Sequence, residues 1–82
     1  MPYIHPLARA VLANGTKPSS VGELNYVVST LMNEHLAKYG CSYSSINELI
    51  GVLECAKLEL YRRIAAPYED EKKVANGDVF TI

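Results

Sequence analysis

Across residues 45–64, apolar side chains return every three or four positions, at Ile46, Leu49, Ile50, Leu53, Ala56, Leu60 and Ile64. That period lines them up on one face of an α-helix and does not fit the two-residue alternation of a half-buried strand. Val52, Leu58 and Ala65 widen the stripe beyond what one partner helix covers, so the segment predicts a second contact besides its nearest neighbour. Ser45 followed by Glu48 matches a capping box that opens the helix. Pro67 disfavours helical geometry at Ala66, which sets the expected end at Ile64 or Ala65. Glu59 with Arg63 at i,i+4 and Glu54 with Lys57 at i,i+3 are expected surface pairs, each worth about 0.2–0.5 kcal/mol.

A second helix is predicted upstream by the same signals. Ser20 and Glu23 form a capping box, and Leu24, Val27, Val28, Leu31, Met32 and Leu36 trace one face as far as Tyr39, with Gly40 placed for a left-handed cap. Gly22 in the first turn sacrifices up to about 1 kcal/mol of helix propensity relative to Ala and is read as permitting close approach of another backbone. The short link over residues 40–44 predicts that the two helices are antiparallel neighbours. Before them, Pro6 suits the first turn of a short helix over residues 7–13, closed by Gly15, whose apolar face is too short to hold a helix unaided and must dock. Residues 15–20 form a loop.

After the hairpin come a mixed-charge run at 69–73, a turn at Asn76 and Gly77, and the β-prone Val79, Phe80, Thr81 and Ile82. That last group reads either as a frayed tail or as a short strand pairing with a neighbouring subunit. The expected fold is thus an all-α single domain, 1–82. It comprises an N-terminal segment (1–19) with a short helix, a hairpin of two long antiparallel helices (20–39 and 45–65), and a mostly extended C-terminal tail (66–82).

Eighty-two residues bury only a small core, and a homo-oligomer is the expected supplement. Two cysteines, Cys41 and Cys55, are too few for a disulfide-stabilised secreted domain and are expected to pack as small apolar groups. The start, MPYIHPLARAV, lacks a basic region followed by an apolar core, and no run approaches the roughly twenty residues that span a bilayer, so a cytoplasmic protein without a membrane role is expected. Eight Lys and Arg against nine Asp and Glu give a net charge of −1, which disfavours binding to a nucleic-acid polymer. Six Tyr, one Phe and no Trp raise the expectation of binding, since Tyr serves both interfaces and small-ligand pockets.

No catalytic motif is present. His5, His35, Cys41 and Cys55 share no ligand spacing, and glycine-rich phosphate loops are absent, so neither a metal nor a cofactor is expected; a Cys/His pair meeting in space stays open. The densest set of capable side chains is Tyr61, Arg62, Arg63 and Tyr68, where the long helix is expected to end. Arg binds phosphate or carboxylate through two parallel N–H groups, and Tyr stacks on a ring. The competing reading is structural: cations in a last turn stabilise the helix end, or the arginines pair with Glu59 or the acids at 69–71. In an antiparallel hairpin GELNY (22–26) meets YRR (61–63), which brings Tyr26 to a ligand-binding set with Arg62, Arg63 and Tyr68. Glu23, Asn25 and Glu59 are assigned structural polar pairing.

GELNY (22–26), GVLECAKLE (51–59), YRR (61–63), APYED (66–70) and NGDV (76–79) resemble a family of small proteins of unknown function encoded by phages and prophages. The likeness covers most of the chain from Gly22 onward; MPYI is also similar, and HPLARAVLANGTKPSS departs from it. The resemblance implies a phage or prophage setting and assigns no catalytic residue. By analogy with other small phage proteins, it implies an oligomer that binds host factors or sequesters a nucleotide signal of antiviral defence. The functional expectation is a non-enzymatic accessory protein that sequesters a small anionic ligand. The alternative is a protein-interaction module that docks on a host or phage protein.

Overall fold

The computed structural model describes residues 1–82, and every regular element in it is helical. The chain divides into two compact units, Met1–Ile46 and Asn47–Ile82.

In the first unit, α1 (Pro6–Ala13) opens with Pro6 at its start, where the missing N–H goes unnoticed, and with His5 Nδ1 accepting the Leu7 N–H at 3.0 Å. It closes at Asn14 and Gly15, whose N–H groups donate to Val11 O at 3.2 Å and Leu12 O at 3.0 Å. This helix docks on α2 (Val21–Tyr39), and its Leu12 is buried. The docking depends on Gly22: a Cβ there would lie 3.3 Å from both the Met1 carbonyl oxygen and Ile4 Cγ2, so glycine admits the N-terminal segment against the helix. Arg9 Nε donates to Ile4 O at 3.0 Å and fixes that segment from the other side.

Ser20 caps α2 as predicted, accepting the Glu23 N–H at 3.1 Å. The reciprocal half of the box is displaced by one residue. Glu23 meets the Ser19 N–H at 3.3 Å and the Ser19 hydroxyl at 3.3 Å, because that residue offers the carboxylate two donors where Ser20 offers one. Replacing Ser20 by Ala is expected to lower stability by about 1 kcal/mol, read as a shift in the urea midpoint at fixed chain concentration. Gly40, at φ +97°, ends the helix with its N–H on Leu36 O at 2.8 Å.

The long third helix departs from expectation at both ends. Its start is one turn earlier: α3 (Tyr43–Leu60) is capped by Ser42, whose hydroxyl accepts the Ser45 N–H at 3.1 Å, so Ser45 and Glu48 lie inside the helix. Its end is no end at all. A single π-turn (Tyr61–Ala65) carries the helix on into α4 (Ala66–Asn76), and the expected extended tail over 66–76 is helical. Pro67 cannot donate to the preceding turn, and its ring would press on the Arg63 carbonyl in an α-helix. The wider turn, with the Ala66 N–H reaching Tyr61 O, opens that space and places Pro67 at the start of α4, where proline is tolerated. Gly77, at φ +92°, then stops the helix.

Leu12 and Leu49 are the only buried residues. Cys41 and Cys55, expected to pack, are exposed: Cys41 sits in the link before α3, and Cys55 lies off the stripe of Leu53, Ala56 and Leu60. The four residues 79–82 form no strand. Asp78 turns the chain there by accepting the Phe80 N–H at 2.9 Å.

Candidate functional site

The second unit is built on one continuous helical run, α3 through the π-turn to α4. A helix has no means of covering its own apolar face. Ile46, Leu49, Leu53, Ala56 and Leu60 alternate spacings of three and four, the seam that packs one helix along another. In an unbroken α-helix the next two seam positions would fall on Arg63 and Pro67. The extra residue of the π-turn advances the register by one, so Ile64 and Tyr68 take those places. The seam therefore stays apolar past the proline. Leu53 is 42% exposed, Leu60 63%, Ile64 64% and Tyr68 59%, so most of its length is open.

The arginines flank this seam. Arg62 folds back on Glu59, its Nη2 lying 3.0 Å from both carboxylate oxygens. Both side chains are more than half exposed, so this pair contributes at most about 1 kcal/mol. The expected Glu59–Arg63 pair does not form, because the π-turn rotates residue 63 away from the Glu59 row. Arg63 has no ion-pair partner. The acids at 69–71 do not engage the arginines either: Asp70 faces Lys73 at 3.9 Å. Glu54 and Lys57 pair at 3.0 Å as expected. Tyr68 lies beneath Lys72 Nζ, 5.5 Å from the ring centroid. None of the main concavities is lined by Arg62, Arg63 or Tyr68.

Tyr26 belongs to the first unit, where the Arg9 guanidinium sits over its ring at 5.4 Å. Beside it, Asn25 Oδ1 accepts the Ser29 hydroxyl at 3.1 Å, and Glu23 is engaged by Ser19. Sequence reasoning passed over Arg9. Its signal is a single cation in an otherwise apolar helix, PLARAVLA, which calls for a local reason. His5 serves as a cap, His35 lies 4.8 Å from the Tyr39 ring, and no three His, Cys, Asp or Glu side chains converge to hold a metal ion. No helix is long and apolar enough to cross a membrane.

The family model described as a domain of unknown function, DUF6899, matches residues 1–79. The chain belongs to that family. The match reaches from the N-terminal segment through the tail turn at Gly77, so the DUF6899 domain takes in both units and the π-turn between α3 and α4. Comparison of this DUF6899 chain with curated proteins and with solved structures gives no match.

Proposed function

We propose that this chain is a non-enzymatic accessory protein of a phage or prophage, active as a homo-oligomer in the host cytoplasm, with the seam of α3 and α4 packed against a second copy. The observation that carries this reading is the open apolar line of Leu53, Leu60, Ile64 and Tyr68 on a helical run that cannot cover itself. The antiparallel hairpin of 20–39 with 45–65 is part of the proposal and leaves the same need. A helix of 19 residues such as α2 spans about 28 Å, whereas residues 43–76 span about 51 Å, so no single helix of that length covers the whole seam. Electrostatics do not oppose a second copy. The net charge is −1, and Glu54, Glu59 and Asp70 are each neutralised by a cation three residues on. Size-exclusion chromatography with light scattering tests the reading: a mass above one chain is expected, and a stable monomer of 9.0 kDa at micromolar concentration overturns it.

The unpaired Arg63, one helical turn and a residue before Tyr68, favours a second reading in which the assembled protein sequesters a small anionic ligand, a nucleotide signal of antiviral defence. Arg63 and Tyr68 supply its contacts, with Arg62 exchanging Glu59 for the ligand. Calorimetry with cyclic and linear nucleotides is expected to show a saturable component of heat that Arg63→Ala removes and Arg9→Gln leaves in place. Absence of any component that depends on Arg63 rejects this second reading and leaves the first in place.

A further inference from the structure

The concavity of about 560 Å³ in the first unit, between the N-terminal segment, α1 and α2, is the polar one of the molecule that holds a prepared cation. Its walls carry Tyr3, Arg9, Tyr26, Ser29, Thr30 and Asn33, and no acid. Glu34 lines the neighbouring concavity instead, with Leu12 and Leu31. The volume of the Arg9 concavity lies within the range of small-ligand sites.

Arg9 is held in two ways that leave its working end free. Its Nε donates to Ile4 O at 3.0 Å, and its Cζ lies over the Tyr26 ring, 5.4 Å from the centroid. No carboxylate pairs with it, so the Nη donors have no ion-pair partner. A guanidinium fixed at Nε and supported by a ring has little rotamer freedom left to lose, and its terminal N–H pairs match two oxygens of a phosphate. The Thr30 hydroxyl and Asn33 amide add neutral donors and acceptors on the same wall, while Tyr3, exposed at the rim, offers an unoccupied ring face.

We infer that this concavity binds a phosphate monoester that also bears a planar ring, of the nucleoside monophosphate class. Arg9 takes the phosphate, Tyr3 stacks on the ring, and Thr30 and Asn33 meet its polar edge. One cation without a second nearby suits a single phosphate and not a polyphosphate chain. The site lies wholly within the first unit, so it is independent both of the self-association proposed above and of the Arg63 reading.

The test is a titration of the ¹⁵N-labelled full chain with adenosine 5′-monophosphate, inorganic phosphate and adenosine. The monophosphate is expected to bind saturably, with shifts centred on Arg9, Tyr26 and Thr30. Phosphate is expected to bind more weakly at the same residues, and adenosine not at all. Arg9→Gln is expected to weaken monophosphate binding by about ten- to a hundredfold, the loss of charge-assisted hydrogen bonds. Because Arg9 also anchors the N-terminal segment, Tyr3→Ala provides the independent variant, reducing the monophosphate to the affinity of phosphate while leaving the spectrum of the fold intact. Arg63→Ala is expected to leave every one of these results unchanged. No saturable binding of the monophosphate, equal binding by Arg9→Gln, an undiminished affinity in Tyr3→Ala, or shifts centred on Arg63 and Tyr68 overturns the inference.

Discussion

If the proposed self-association holds, Leu60→Asp is expected to run as a single chain of 9.0 kDa at concentrations where the parent protein assembles. Leu60 stands at the middle of the open seam, between Ala56 and Ile64, and is 63% exposed within its own chain. Its replacement therefore takes little from the isolated fold and most of its effect from the contact with a second copy. Burying a leucine contributes about 1.5–3 kcal/mol, and were the proposed contact two-fold it would be lost twice, since both copies carry the change. The combined loss of about 3–6 kcal/mol raises the dissociation constant by about a hundred- to ten-thousandfold, before the penalty of burying a carboxylate is added. Cys55→Asp, at an exposed position off the seam, is expected to keep the parent mass. Light scattering and sedimentation across a hundredfold concentration series distinguish the outcomes, and an unchanged mass for Leu60→Asp places the contact elsewhere.

The seam was legible in the sequence as far as Ile64, and so were α1, α2 and the body of α3, because they are written in local signals. The period of Leu24 to Leu36 and of Ile46 to Leu60, the Ser20 cap, the Pro6 start and the glycines at 15, 40 and 77 each act on their own neighbours. Gly22 was legible as a close approach, though the group that approaches, the Met1 carbonyl, belongs to no periodic segment. The tail was misjudged for a definite reason. A proline two residues beyond a helical stripe is the ordinary sign of a helix end, and residues 66–76 carry few apolar groups to argue otherwise. What the sign omits is that one wide turn accommodates the ring, after which Glu69 in the first turn of α4 and Lys73 in the last suit a helix of their own. The misplaced Glu59 pair follows from the same turn, since spacing rules for ion pairs assume an unbroken α-helix. Arg9 escaped because its significance lies in what surrounds it: a carbonyl at Ile4, a ring at Tyr26 and no acid.

The π-turn itself supplies the second large effect. Pro67→Ala is expected to leave helix content unchanged or raised and yet weaken self-association by at least about tenfold, a direction opposite to the usual consequence of removing proline from a helix. With alanine at 67 an N–H becomes available to the Arg63 carbonyl, and the reason for the wide turn disappears. The helix then closes into regular α geometry, and each residue beyond the turn rotates by about 100° relative to the seam. Arg63 moves into the line after Leu60, while Ile64 and Tyr68 move to its side. The proposed assembly would lose part or all of two apolar contacts worth about 1.5–3 kcal/mol each, and accept a guanidinium in their place. Far-UV ellipticity, measured on the same samples, is expected to show helix content held or raised while the dissociation constant rises. Deleting Arg63 in the Pro67→Ala chain separates register from any other effect of the substitution. In a continuous α-helix one residue fewer returns Ile64 and Tyr68 to the seam, and association is expected to recover. A Pro67→Ala protein that assembles as tightly as its parent, or a double variant that stays dissociated, shows that the wide turn accommodates the proline without setting the register of the contact.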